Sequence, residues 1–161
     1  MRLRTWVIGI AALLTLMVVV AVIFVVTGNM KPPQKNPTDG RYAAVIYKTP
    51  QCGCCGEYIR YLERYGFTVE VVHVDDIYAV LKQFNVPSGY ESCHLALWGG
   101  YVVVGHVPLE VIDRLLAERP DVEGITLPGM PPGSPGMPGE KNGEWKIYAF
   151  KNGRVWLYAV S

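Results

Sequence analysis

The spacing of hydrophobic residues changes several times along the chain between the two-residue period of strands and the 3.6-residue period of helices. An apolar run centred on Val45 and Ile46 indicates a buried strand, whereas Tyr58, Leu62 and Tyr65 recur at the spacing of one helical face. The pattern predicts, in chain order, a strand over 43–47, a helix from 57 to a glycine cap at 66, a strand over 67–74, a helix over 77–84, strands over 95–98 and 101–104, a helix from 108, and strands over 145–150 and 155–160.

Two dipeptides support the predicted hairpins. Gly99-Gly100 and Asn152-Gly153 supply the positive φ angles that a two-residue turn between antiparallel strands requires. The order βαβαββα, which precedes the last hairpin, is the one expected of a thioredoxin-like α/β domain. We therefore expect a thioredoxin-like domain whose C-terminal β-hairpin either extends the sheet or covers one of its faces.

A segment of different composition precedes the last hairpin. Residues 128–139 comprise five Pro, four Gly, two Met and one Ser. So many prolines and glycines are incompatible with a regular helix or strand, so we predict a loop.

The first 30 residues are far more apolar than the rest of the chain. Residues 6–26 are apolar except for one threonine, and about 20 such residues span a bilayer as a helix. A cleaved signal peptide has a shorter apolar region and a small-residue cleavage site, which this segment lacks. We therefore predict a signal anchor over 1–30, a proline-rich tether over 31–40 and a folded domain over 41–161. Positive charges flank both ends of the anchor, so its signal-like layout alone places the domain on the periplasmic or extracellular side.

Charge and cysteine composition argue against two classes of protein. Beyond residue 30 the chain carries 13 of its 15 basic residues and all 14 acidic residues, a balance that gives no reason to bind nucleic acid. Three of the four cysteines lie within Cys52-Gly53-Cys54-Cys55, which is too clustered for the disulfide framework of a small secreted scaffold. The cysteines therefore indicate a site.

Cys52 and Cys55 form a Cys-x-x-Cys motif at the start of a predicted helix, where unpaired N–H groups favour thiolate. Thiolates in this position perform redox chemistry or hold a metal, and a structural disulfide is a third interpretation. Cys54 favours the metal, because a third thiol beside a redox pair promotes mixed disulfides.

Cys93-His94 lies just before the predicted third strand, in a loop that a thioredoxin-like fold brings close to the first helix. Thioredoxin-type enzymes carry a cis-proline there, but no proline occurs between residues 87 and 108. His106 is a further candidate ligand, with a helix-capping or surface role as the alternative. His73, among valines of the second strand, is better explained as structural.

Met130 and Met137 are the only methionines beyond residue 30, and both lie in the loop over 128–139. A segment without regular structure buries little, so these thioethers suit soft metal ligands better than packing, which remains the alternative. Thiolates and thioethers together select Cu(I) over hard cations. Zn(II) is the second candidate, through cysteine and histidine without methionine.

Five motifs occur in order along the chain: Tyr47-Lys48-Thr49-Pro50-Gln51-Cys52-Gly53-Cys54-Cys55-Gly56, Ser92-Cys93-His94, Gly99-Gly100-Tyr101-Val102, Gly105-His106-Val107-Pro108 and Pro128-Gly129-Met130-Pro131-Pro132-Gly133-Ser134-Pro135-Gly136-Met137. Together they resemble a bacterial family of unknown function, the CGCC-signature metal-binding proteins. The resemblance implies a periplasmic, thioredoxin-like protein associated with copper-handling genes. It implies five metal ligands, with the two loop methionines as additions: Cys52, Cys54, Cys55, Cys93 and His106. Many relatives resemble cleaved secreted proteins, whereas this chain has the features of an anchored one.

The function that these observations favour is extracytoplasmic binding of Cu(I) for copper resistance or delivery. The candidate ligands are Cys52, Cys54, Cys55, Cys93, His94, His106, Met130 and Met137. The expected partners are the metal, the membrane through residues 6–26, and copper-transport or copper-resistance proteins. A thiol-disulfide oxidoreductase using Cys52 and Cys55 is the main alternative, and a zinc-stabilised structural domain is the third.

Overall fold

A computed structural model describes residues 42–161 of the protein. Within this range the chain forms β1 (Ala43–Lys48), α1 (Gly53–Arg64), β2 (Thr68–His73), α2 (Ile77–Gln83), β3 (His94–Trp98), β4 (Tyr101–Val104), α3 (Leu109–Glu118), β5 (Gly124–Thr126), β6 (Lys146–Lys151) and β7 (Arg154–Val160). The predicted order βαβαββα and the C-terminal hairpin are confirmed. The predicted anchor and tether lie outside the described residues, and no helix within 42–161 is long and apolar enough to cross a membrane.

The strands form one mixed sheet in the order β2-β1-β3-β4-β5-β6-β7. Strand β1 pairs parallel with β2 and antiparallel with β3, which pairs antiparallel with β4. Beyond β4, the short strand β5 pairs parallel with β4 and antiparallel with β6. The C-terminal hairpin therefore extends the sheet, which was one of the two predicted arrangements.

Strand β5 is absent from the prediction because three residues are too few to show a period. Its position is fixed by close packing. A Cβ atom on Gly124 would collide with the carbonyl oxygen of Val102 and lie 2.7 Å from the ring of Phe150. Only glycine therefore allows β5 to approach β4 this closely.

Helices cover both faces of the sheet. On one face α1 and α3 contribute Leu62, Ile112 and Leu115 to a buried cluster that includes side chains of the central strands. On the other face α2 buries Ile77 and Leu81 against β3 and β4. Full burial of one such aliphatic side chain stabilises the fold by roughly 1.5–3 kcal/mol, so these contacts hold the helices in place.

The first helix begins four residues earlier than its hydrophobic spacing indicates. It starts at Gly53, so Cys54 and Cys55 lie in its first turn and Cys52 is the N-cap residue. The amide of Cys52 donates to the carbonyl of Thr49, 3.2 Å away, closing the turn that leads out of β1. Strand β1 therefore delivers the cysteine motif directly to a helix N-terminus.

Candidate metal centre

The Cys-x-x-Cys motif at the start of α1 is oxidised in this structure. Cys52 and Cys55 form a disulfide, whereas Cys54 and Cys93 are free thiols. Cys55 is fully buried, and Cys52 and Cys54 are partly exposed. The unpaired N–H groups of the helix N-terminus favour negative charge at these sulfurs once the disulfide is reduced.

Cys54 lies at the centre of the sulfur atoms. Its Sγ is 3.5 Å from Sγ of Cys52, 3.9 Å from Sγ of Cys93 and 4.0 Å from Sδ of Met130. The sulfurs of all four cysteines lie within 4.8 Å of one another. Residues from α1, from the loop before β3 and from the loop over residues 128–139, called the proline-rich loop below, therefore meet at one point.

Cys93 connects the sulfur atoms to two imidazoles. Its Sγ lies 3.3 Å from Nε2 of His106 and 3.5 Å from Nδ1 of His94. Burial, followed by the charge of the neighbouring Cys54, raises the pKa of the Cys93 thiol to about 12. Cys93 is therefore a neutral thiol at pH 7 in the metal-free protein, and a metal must displace its proton to bind.

Both imidazoles are buried against one aromatic ring. The ring of Tyr58, itself fully buried, lies 4.9 Å from that of His94 and 5.1 Å from that of His106. Burial is the main reason that the pKa of His94 falls to about 3 and that the pKa of His106 is also lowered. Both rings are therefore neutral at pH 7, the form that ligates metals.

The backbone before His106 requires glycine. Gly105 has φ of +78°, and a Cβ atom there would lie 2.5 Å from the Leu127 carbonyl oxygen and 2.8 Å from Oγ of Ser92. A side chain at this position would displace the segment that carries His106.

The proline-rich loop packs over the cysteines. Met130 approaches Cys54 from a left-handed backbone conformation, φ +45°, which costs a non-glycine residue free energy. The carbonyl of Pro135 accepts a hydrogen bond from Nδ1 of His106 at 2.6 Å. Gly136 lies against the backbone of α1, where its Cβ would be 2.5 Å from the Tyr58 nitrogen. The loop thus contacts both the sulfurs and an imidazole.

The structure brings together seven of the eight predicted ligands: Cys52, Cys54, Cys55, Cys93, His94, His106 and Met130. Met137 is half-buried, and within residues 42–161 its sulfur joins none of the sulfur contacts around Cys54. His73 is exposed at the end of β2 and belongs to neither group of potential metal ligands within residues 42–161.

Three groups that contribute to the site are not assigned to it by the sequence analysis. Tyr58 enters the sequence analysis only as part of a hydrophobic helical face, although its position four residues after Cys54 places both residues on one side of the helix. Lys48 pairs with His94 in the β1–β3 register and is buried, with 6% of its surface exposed. The third, the carbonyl of Pro135, has no sequence signal, because any residue supplies a carbonyl.

The donor set fits a soft metal ion. Sulfurs that bind one ion at about 2.3 Å stand about 3.8 Å apart in a tetrahedral site. The sulfurs of Cys52, Cys93 and Met130 lie 3.5–4.0 Å from that of Cys54. Thiolate, thioether and imidazole donors favour Cu(I) and Zn(II) over Mg²⁺ or Ca²⁺.

Comparisons with known proteins agree with this chemistry. A family model described as protein of unknown function, DUF411, matches residues 90–137. Two solved structures, Form 2 and Form 1 of a protein named copper resistance protein copG, are 36% and 35% identical, each with a TM-score of 0.68. The similarity covers 74% and 75% of this chain and 97% and 98% of the solved chains. No curated protein matches. The resemblance to a family of unknown function is thus confirmed, and the similar solved structures are of a protein named for copper resistance.

Proposed function

The chain belongs to the family of copper resistance protein copG, and from that membership we propose that it binds Cu(I) as cargo for copper resistance or delivery. The observation that carries the proposal is the position of Cys54, whose Sγ lies within 3.5–4.0 Å of three further sulfurs from separate segments. Hydrophobic packing does not require thiols and a thioether from separate segments to converge, whereas Cu(I) prefers such ligands.

The proposed ligands divide into a core and a periphery. Cys52, Cys54, Cys55 and Cys93 supply thiolates, and His106 supplies Nε2, which faces the Cys93 sulfur. The peripheral candidates are Met130 as a thioether and His94 through Nδ1, whereas Met137 lies outside the sulfur contacts around Cys54 within residues 42–161. Zn(II) is the alternative ion, and it would use the thiolates and imidazoles without Met130.

The disulfide links copper binding to reduction. Two of the four thiolates are withheld while Cys52 and Cys55 are bonded to each other. Reduction by an external dithiol, which is itself oxidised to a disulfide, supplies the two electrons and two protons that restore both thiols. The reduced protein is therefore the form that we expect to take up Cu(I).

Anaerobic competition against a chromophoric Cu(I) chelator tests this proposal. The reduced protein is expected to withdraw copper from an equimolar chelator, and the same protein with its disulfide closed should withdraw far less. Replacing Cys52 or Cys55 by Ser should lower the Cu(I) affinity of the reduced protein nearly to that of the oxidised parent. Failure of the reduced parent to withdraw copper would refute Cu(I) binding.

The disulfide itself favours one second function, thiol-disulfide oxidoreduction by Cys52 and Cys55. We also propose that the domain is thioredoxin-like, and the element order and the sheet order support this. However, no proline occurs between residues 87 and 108, so the cis-proline that thioredoxin-type enzymes carry beside their cysteines has no counterpart in the loop before β3. We expect slow reduction of insulin, and turnover at a thioredoxin-like rate would favour the redox function instead.

We also propose that the domain is membrane-anchored on the periplasmic or extracellular side, where copper-transport or copper-resistance proteins would be its partners. The support is the uncharged apolar stretch over residues 6–26. Labelling of the reduced thiols in intact cells by a membrane-impermeant maleimide tests this placement. Labelling only after cell lysis would contradict it.

A further inference from the structure

Each of the two ring nitrogens of His106 has a hydrogen-bonding partner. Its Nδ1 lies 2.6 Å from the carbonyl oxygen of Pro135, and its Nε2 lies 3.3 Å from Sγ of Cys93. A carbonyl oxygen only accepts hydrogen bonds. In the neutral ring, therefore, Nδ1 carries the hydrogen and donates it to Pro135, and Nε2 has a free lone pair directed at Cys93.

The Pro135 carbonyl is held in place by the fold of its loop. The Ser134 hydroxyl donates to the Pro131 carbonyl at 2.7 Å, and the Met137 amide donates to the Ser134 carbonyl at 2.8 Å. Ser134 is buried, with 1% of its surface exposed. These bonds make the centre of the loop a compact turn with little freedom.

Gly136 fixes this turn against α1. It has φ of +79°, and a Cβ atom there would lie 2.5 Å from the Tyr58 nitrogen and 2.9 Å from the Glu57 carbonyl carbon. The same helix carries the cysteine motif. The distance between the Pro135 carbonyl and the cysteines is therefore set by direct contact of two backbones.

We propose that Pro135 is a positioning residue whose carbonyl selects the Nδ1–H tautomer of His106 and thereby presents Nε2 to the metal. The metal part of this inference rests on the proposed function, whereas the tautomer is a property of the metal-free protein. The proline-rich loop thus acts on the site through its backbone as well as through Met130. Hydrogen bonds of this kind to ligating histidines typically change metal affinity by about 10–100-fold.

Gly136→Ala tests the proposal, because the added methyl group must move the turn away from α1. Its control is Gly143→Ala, which also places alanine at a positive φ, +88°, but has no atom within 4 Å of the added Cβ. The first readout is the ¹⁵N NMR spectrum of the His106 ring in the reduced, metal-free protein, which distinguishes protonated from unprotonated nitrogen. The second is Cu(I) affinity by chelator competition.

The parent and Gly143→Ala should both show protonated Nδ1, and Gly136→Ala should show a mixture of tautomers with Cu(I) affinity reduced about 10–100-fold. If Gly136→Ala does not fold, a backbone ester between Pro135 and residue 136 replaces it, since an ester carbonyl is a weaker acceptor of nearly the same shape. This variant should shift the tautomer ratio in the same direction.

An Nε2–H tautomer in the parent would overturn the proposal, as would an unchanged tautomer and affinity in a variant that has lost the Pro135 contact. A parent with protonated Nδ1 that binds no copper would leave the selection of the tautomer by Pro135 supported and refute the proposed function. The two failures are therefore distinguishable.

Discussion

Among the individual residues, Cys54 and Met130 have the clearest distinct roles at the site. Cys54 contacts three sulfurs, and Met130 is the one loop methionine whose sulfur, within residues 42–161, reaches it. The two loop methionines are equivalent in the sequence, since both follow a Pro-Gly pair in the same loop. The structure separates them, and this separation makes them a matched pair for experiment.

Met130→Leu should weaken Cu(I) binding, whereas Met137→Leu should leave it close to the parent value. Leucine conserves volume and apolarity, so both variants should fold normally. The loss with Met130→Leu should be larger at about pH 5 than at pH 7, because protons compete with copper for thiolates but not for a thioether. Chelator competition at both pH values measures this, and equal affinities for both variants and the parent would mean that the methionines only pack.

His94 makes the stability of the metal-free protein depend on pH. Its pKa is about 3 in the folded state against an ordinary 6.5, because burial disfavours the charged ring. Between these values the unfolded chain binds the proton and the folded chain does not, so stability falls as pH falls. His94 alone should contribute a slope of about 1.4 kcal/mol per pH unit below pH 6.

Urea unfolding of the reduced, metal-free protein between pH 6.5 and 4 measures this slope. His94→Gln removes the titrating group, so its slope should be smaller than that of the parent, with the residual acid sensitivity including that of His106, whose pKa is also lowered. Identical slopes for the two proteins would show that His94 is protonated in the folded state at these pH values.

The elements of the fold differ in how strongly the sequence encodes them. The six longer strands and three helices follow from hydrophobic period and turn residues, and the positive φ angles at Gly99, Gly100, Asn152 and Gly153 agree with the predicted turns. By contrast, β5 is a product of tertiary pairing, because its three residues gain their partners only once β4 and β6 are in place.

Gly124→Ala should destabilise the protein by about 2 kcal/mol or more, because the methyl group would overpack the contact with Val102 and Phe150. Gly56→Ala is the matched control. Gly56 lies inside α1 with no atom within 4 Å of an added Cβ, so alanine there should stabilise by about 0.5–1 kcal/mol. Denaturant unfolding of both variants measures these changes in the free energy of unfolding. A neutral Gly124→Ala would mean that β4 and β5 pair less closely than the structure indicates.

For the whole molecule, the fold converts scattered sequence signals into one site. Cys54 and Cys93 are 39 residues apart in sequence, and Cys54 and Met130 are 76 apart. The residue types identify soft-metal chemistry from the sequence, since cysteine and methionine are the donors that Cu(I) prefers. Their convergence, the aromatic cover of Tyr58 and the Pro135 contact to His106 follow only from the way that the loop returns across α1.

The central claim is that Cu(I) is held by sulfur ligands from these separate segments. X-ray absorption at the copper K-edge, on the reduced protein loaded anaerobically with one equivalent of Cu(I) and desalted, tests it most directly. The account predicts a Cu(I) edge and a first shell dominated by sulfur, with the sulfur contribution reduced in Cys54→Ser. A first shell of nitrogen and oxygen alone, or loss of the copper on desalting, would contradict it.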